Sequence, residues 1–282
     1  MAERKDKYLW ENCDWFEKDW INIGPIKDEP DSFHIKSKTT SKAYVMKIEI
    51  IQSQSEVKDK LAELENLANI KHDNIISVAE FHWDCLIMSY SMVAIISEQG
   101  ITNLEKDNRS CSENDVIDIA TQIALAIEHL HLKELSCFQI HPSLIAKTGT
   151  KYLLIIKKKA KNQFERALNA NLRNFAQGSN DPKTIENQKK NIDIQQFGLL
   201  IIILLIRATG VKDPIVFPEI DDPKYRFEVL KNYALFQKKE IKQQRMWLIL
   251  FNSILGFKYG FRFSISRVKE FLMMLKSNVD IK

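Results

Sequence analysis

The apolar residues of this chain change their spacing at Gly100, and that change limits the folds open to it. Before Gly100 they come in short runs of strand character; after it they recur every three or four positions, as on helices. Ala43-Tyr44-Val45-Met46-Lys47-Ile48-Glu49-Ile50 predicts a strand. Val57, Leu61, Leu64 and Ala68 then mark one face of an amphipathic helix. Two further apolar runs, Cys85 to Tyr90 and Met92 to Ser97, lie so close together that they predict an antiparallel strand pair. Beyond Gly100, Ser112 and Asp115 have the spacing of a capping box. The helix behind them carries Val116, Ile119, Ile123, Ile127 and Leu130 on its apolar face and reaches His131. Tyr152 to Ile156 predicts another short strand. Residues 162–192, rich in Asn, Gln and Lys, predict loop, and an apolar helix beginning near Asp193 predicts the centre of the second half. Trp247, Leu248, Phe251 and Leu255 share one late helix, and Ile265, Val268, Phe271, Leu272 and Leu275 share the last. The class that follows is α+β: a small β-rich part with one helix, then a larger helical part.

Composition narrows the chemistry. At 45% apolar and 28% charged, the 282 residues are an ordinary globular mixture. A net charge of +4 does not call for nucleic acid, although it permits a local basic patch. Only 8 residues are glycine, few for a chain that would cradle phosphates on bare backbone. The four cysteines, Cys13, Cys85, Cys111 and Cys137, show no metal-ligand spacing and fit a reducing cytosolic or nuclear interior. The start of the chain is too charged for a signal peptide. The longest apolar run, Leu199 to Ile206, is far short of the ~20 residues that span a bilayer, so no membrane is expected. His129 and His131, two apart on a helix, face different ways and make a poor metal pair.

Five local matches, in one order, resemble the eukaryotic protein-kinase fold over roughly residues 18 to 277. Tyr44-Val45-Met46-Lys47 resembles the kinase lysine strand, and Glu63 falls where the helix glutamate would pair with that lysine. Lys71-His72-Asp73-Asn74-Ile75 is similar to the turn that follows that helix. Ile127 through Glu134 resembles the end of the long helix before the catalytic loop. Asp193-Ile194-Gln195-Gln196-Phe197-Gly198 is similar to the opening of the central large-lobe helix, and Arg262 to the late arginine that braces that lobe. The sequence around Lys47 and the single glycine at Gly100 look similar to the casein kinase and vaccinia-related kinase branch. The resemblance implies a bilobal protein-kinase-like fold: an extension over 1–17, a small lobe over 18–100 and a large lobe over 101–282. Ile96 would be its gatekeeper, and Asp193 would cap its helix and bond the backbone of the catalytic loop.

Phosphoryl transfer needs phosphate cradling, metal ligands, a base and a lysine clamp. The resemblance puts the glycine loop between Ile23 and Ile35, where one glycine of three remains. Pro25 and Pro30 there remove backbone donors, and Asp28, Glu29 and Asp31 would repel a triphosphate. The catalytic triplet falls on Cys137-Phe138-Gln139, so Gln139 replaces the base, and an amide does not take up the substrate's proton. His141 stands in the place of the loop lysine. Leu144 stands in the place of the magnesium-binding Asn and offers no oxygen ligand. The next metal position falls among Ile156-Lys157-Lys158-Lys159, where lysine repels Mg²⁺. The segment from Lys157 to Asp193 has no Ala-Pro-Glu motif.

The resulting expectation is a pseudokinase with no catalysis, no cofactor and no metal. Lys47 and Glu63 would survive as a structural ion pair, and Trp10, Trp15 and Trp20 would pack the extension onto the small lobe. Lys147, Lys151, Lys157, Lys158 and Lys159 would form a basic surface for a protein partner, such as an active kinase or an acidic or phosphorylated segment. Two rivals stand beside it. One is a divergent phosphotransferase using Asp28 or Glu29 for metal, against which stands the absence of any Asp or Glu from residue 135 through 164. The other is a nucleic-acid-binding module built on the lysines, which a steep salt dependence would reveal.

Overall fold

The computed structural model describes residues 9–27, 29–85, 91–98, 102–105, 111–137, 140–156, 182–208, 243–255 and 263–280. The chain divides into two units, residues 1–100 and 101–282.

In the first unit a five-stranded antiparallel sheet has the order β1-β2-β3-β5-β4. Its strands are β1 (Trp20–Ile26), β2 (Glu29–Ser37), β3 (Ala43–Ile51), β4 (Val78–Cys85) and β5 (Ser91–Glu98). Two helices join it, α1 (Asp14–Asp19) and α2 (Gln54–Ala68). The expected strand at 43–50 and the helix after it are present. The expected strand pair is shifted: β5 pairs with β4, which ends at Cys85, and residues 86–90 lie outside the described residues. The reason is chemical. Alternate residues of β4 are Glu80, His82 and Asp84, so the strand carries polar groups on a covered face and shows no apolar run.

What covers that face is the start of the chain. Trp10, Phe16 and Trp20 form one core with Phe33, Ile35, Met46, Met92, Ala94 and Ile96. Trp10 meets Phe16 and Phe33 edge-on, with ring centroids 4.7 and 4.8 Å apart. Each of the three polar β4 residues then holds one residue of the segment. Trp20 Nε1 donates to Glu80 at 2.6 Å, Trp15 stacks on His82 at 4.2 Å, and the Cys13 thiol donates to Asp84 at 3.7 Å. Burial first, then the Asp84 charge, pushes the Cys13 thiol above its ordinary value, which keeps the donated proton in place. The opposite face of the sheet carries Glu49 and Val93, which are partners in register, and α2 packs there through Val57 and Leu64.

The second unit is built on α3 (Glu113–Leu132) and α4 (Pro182–Ala208), with α5 (Gln244–Leu255) and α6 (Ile265–Asp280). A three-stranded sheet of β6 (Thr102–Asn103), β7 (Ile145–Thr148) and β8 (Lys151–Leu154) completes it. The capping box at the start of α3 closes as its spacing predicts. The Ser112 hydroxyl accepts from the Asp115 N–H at 3.2 Å, and the Asp115 carboxylate accepts from the Ser112 N–H at 2.8 Å. Val116, Ile119, Ile123, Ile127 and Leu130 are buried, and α3 packs against α4, α6 and β8. The turn from β7 to β8 uses Gly149 at φ +58, a conformation that favours glycine.

One sequence expectation fails here. Residues 182–192, expected as loop, are the first turns of α4. Pro182 is the first helical residue, where a missing N–H is harmless, and the Lys, Gln and Glu that follow are good helix formers. Polar composition marked a helical stretch, not a loop. Asp193 consequently lies inside α4 and does not cap it. Lys189–Ala208 is long and apolar enough to cross a membrane by length and composition. Its Phe197, Leu200, Ile201, Ile202, Leu204, Leu205 and Ile206 are buried, as in a core helix.

Candidate functional site

A buried polar centre lies in the second unit where the chain leaves α3. The Asp193 side chain is fully buried on α4. Its Oδ2 lies 2.9 Å from His131 Nε2 at the end of α3 and accepts from the Cys137 N–H at 2.8 Å. One turn along α4, Gln196 Oε1 accepts from the Ile140 N–H at 2.9 Å. Two side chains of one helix therefore fix both ends of the loop that contains residues 138 and 139, which themselves lie outside the described residues. A carboxylate in that setting persists because its donors replace the water it has lost. Burial first, then the Asp193 charge and hydrogen bond, pushes the Cys137 thiol well above its ordinary value. Cys137 is thus an inert thiol, unfit as a nucleophile.

Asp193 was expected to bond the loop backbone, and it does so. The part of His131 was missed. Its spacing from His129 speaks only to metal ligation, and nothing in it points across 62 residues to Asp193.

Of the expected site residues on this side, Leu144, Lys147 and Lys151 are described. Gln139, Lys157, Lys158 and Lys159 lie outside the described residues. Leu144 is buried in a short 3-10 turn, and its carbonyl accepts from the Ile155 N–H at 2.8 Å. His141 caps the same turn, its Nδ1 2.9 Å from the Ser143 hydroxyl. Lys147 lies on β7 with its ammonium 5.2 Å from the centre of the Tyr152 ring, its cross-strand partner. Lys151 is exposed at the start of β8, opposite Thr148.

In the first unit, Lys47 and Glu63 form no ion pair among the described residues. Lys47 instead meets Glu49, two residues along its own strand, at 2.8 Å, and Glu49 holds Lys60 of α2 at 2.9 Å. The expected polarity is inverted: the strand supplies the acid and the helix the lysine. Burial works against the Glu49 charge, but hydrogen bonds from Lys47 and Lys60 prevail and hold its carboxyl below the usual range. The segment expected as the glycine loop forms the β1–β2 hairpin, with Gly24 at φ +144 where the register slips. Pro30 and Asp31 are exposed on β2, and Asp28 lies outside the described residues. Arg262 lies outside them as well. Among the described residues no three His, Cys, Asp or Glu side chains come together in a way that could hold a metal ion.

No protein-family model matches this chain, and no curated protein matches it.

Proposed function

We propose that this chain is a catalytically inactive pseudokinase that works by binding protein partners, as a scaffold or as an allosteric regulator of an active kinase. The observation that carries this reading is the bond from the Cys137 N–H to the buried Asp193 carboxylate. In the kinase resemblance that aspartate steadies the loop bearing the catalytic base. Here the loop is steadied while Gln139 occupies the base position, and an amide does no general-base chemistry. The division into a β-rich first unit with its helix α2 and a helical second unit supports the same reading at the level of architecture. The Lys47–Glu49 pair supports loss of the nucleotide clamp, because it engages the strand lysine away from Glu63. The basic run Lys157, Lys158 and Lys159, with Lys147 and Lys151, gives the partner its chemistry: an acidic or phosphorylated segment. Cys13, Cys111 and Cys137 form no disulfide among the described residues, which suits a reducing cytosolic or nuclear interior.

Thermal unfolding with and without Mg·ATP tests the loss of nucleotide binding. A ligand present at 100 times its Kd stabilises a fold by ~2.7 kcal/mol, so a binder would shift the melting curve by several degrees. The expected shift is nil, and a shift abolished by EDTA overturns the reading. Partner capture tests the rest. Changing Lys157, Lys158 and Lys159 together to Glu should leave melting unchanged and reduce capture, with a weaker salt dependence of what remains. Unchanged capture would remove the lysines from the function, and steep salt-dependent binding of random oligonucleotides would favour a nucleic-acid module instead.

A further inference from the structure

The five-stranded sheet of the first unit ends in two edges, β1 and β4. An edge strand turns alternate N–H and C=O groups outward, and natural chains blunt such edges with prolines, lysines and bulges. β1 is blunted: Pro25 lies in it, and its register with β2 slips twice. β4 is blunted only at its start. Its register with β5 slips between Val78 and Glu80, and residues 80–85 then run unbroken with no proline and no lysine. Among the described residues, no backbone group of that stretch bonds anything beyond β5. The start of the chain lies on one face of β4, and its contacts there go to the side chains of Glu80, His82 and Asp84. On the other face Trp83, the cross-strand partner of Val93, is 52% exposed.

We infer that the β4 edge pairs antiparallel with the β4 edge of a second copy of this chain, about a two-fold axis at Trp83. The strand's own pattern selects both occupant and register. An axis at His82 would set Glu80 against Asp84 twice, and like charges directly opposite are destabilising. An axis at Phe81 would set Trp83 against Ala79, the residue left over where the register slips. An axis at Trp83 keeps the paired residues 81–85 within the regular stretch. It sets the two half-exposed indoles against each other as a cross-strand aromatic pair. It also sets His82 of each copy opposite Asp84 of the other. Among the described residues Asp84 accepts only from the Cys13 thiol, a weak donor at 3.7 Å, so an imidazole opposite gives it a better partner. A foreign strand would have to bring both a donor for Asp84 and an apolar group for Trp83; a second copy carries both at the right spacing. The two sheets then continue as one. The dimer goes beyond the pseudokinase reading and does not rest on it: a melting shift with Mg·ATP would overturn that reading and leave this one standing.

Sedimentation equilibrium of the whole chain from about 1 to 100 μM tests the pairing. The apparent mass should rise from one chain to two and stop there, because a two-fold contact closes. Trp83→Lys places a lysine on the edge and should weaken association by on the order of tenfold or more, with melting of the dilute protein unchanged. Ile21→Lys, at a half-exposed position on β1, should dimerise like the parent. Trp83→Cys under mild oxidation should yield a disulfide joining position 83 of two chains, since residues directly opposite lie within disulfide reach. Phe81→Cys should give no disulfide joining position 81 of two chains. The cysteine linkage reads the register even where Trp83→Lys expresses poorly. A chain that stays monomeric throughout, a dimer indifferent to Trp83→Lys, or linkage at position 81 in place of 83 would overturn the assignment.

Discussion

Asp193 Oδ2 lies 2.8 Å from the backbone N of Cys137, a residue 56 positions earlier in the chain, and the aspartate is fully buried. With the Gln196–Ile140 bond it ties α4 to the loop that follows α3, so the bond is a test of the second unit's architecture. Asp193→Ala would leave the Cys137 N–H and the His131 ring facing an empty space. Breaking a buried charged contact of this kind costs about 3–5 kcal/mol. Urea unfolding should show a midpoint lowered to match, a large part of a total stability of ~5–15 kcal/mol. An unchanged midpoint would mean that the carboxylate is dispensable to the fold.

The buried thiol of Cys137 gives a pH dependence whose sign follows from its raised value. The unfolded thiol ionises near pH 8.5 and the folded one only well above that. Below pH 8.5 both states hold the proton and stability is flat. As pH rises further the unfolded state alone loses its proton, and stability falls by up to about 1.4 kcal/mol per pH unit. The slope between pH 8.5 and 10 should therefore be shallower in Cys137→Ala than in the parent. Equal slopes in the two proteins would contradict the burial of this thiol.

Ile202 is 2% exposed on the core side of α4. Ile202→Val removes one methylene and should cost about 0.5–1.5 kcal/mol in denaturant unfolding. Ile202→Asp places an unpaired carboxylate in the same space and should abolish soluble expression. If Ile202→Asp stays soluble and melts like the parent, α4 is not the core helix.

The inverted ion pairing of the first unit is open to a double-mutant cycle. Side chains in the Lys47–Glu49–Lys60 group are 22–49% exposed, so solvent screens them and each pair contributes ~1 kcal/mol or less. The cycle on Glu49→Gln and Lys60→Met should return a small favourable coupling. The cycle on Lys47→Met and Glu63→Gln should return none. Coupling in the second cycle would restore the kinase-like clamp.

The opening segment of the described chain is part of the first unit's core. Trp10 is 4% exposed and packs edge-on against Phe16 and Phe33. Trp10→Ala should cost about 3–5 kcal/mol, and Trp15→Ala, which loses a half-buried stack on His82, distinctly less. Differential scanning calorimetry on the two variants ranks them, and the reverse order would show that the segment is held from β4 alone.

Local chemistry made some of this legible in the sequence. The strand at Ala43–Ile51, the helices α2, α3, α5 and α6, and the Ser112 cap all rest on neighbours within a turn or on a simple period, and those signals survive in one dimension. The three tryptophans announced a packed segment for the same reason, since large aromatic groups near a polar start need a place out of water. The tie from Asp193 to the loop rests on no local signal, since Cys137 and His131 lie 56 and 62 residues away along the chain.

What the sequence by itself determined is the α+β class, the change at Gly100 and most element types, because burial periodicity and capping are properties of adjacent residues. Tertiary structure alone decided which charges meet. Glu80, His82 and Asp84 are an unremarkable polar alternation until the start of the chain lies across them. Glu49 meets Lys60 because α2 packs against that face of the sheet. Residues 182–192 are loop-like by composition and helical in fact, since the buried half of α4 propagates its hydrogen bonds into a polar stretch of good helix formers. Sequence spacing sets the direction of a side chain only within its own element; partners that lie far apart along the chain are set by packing.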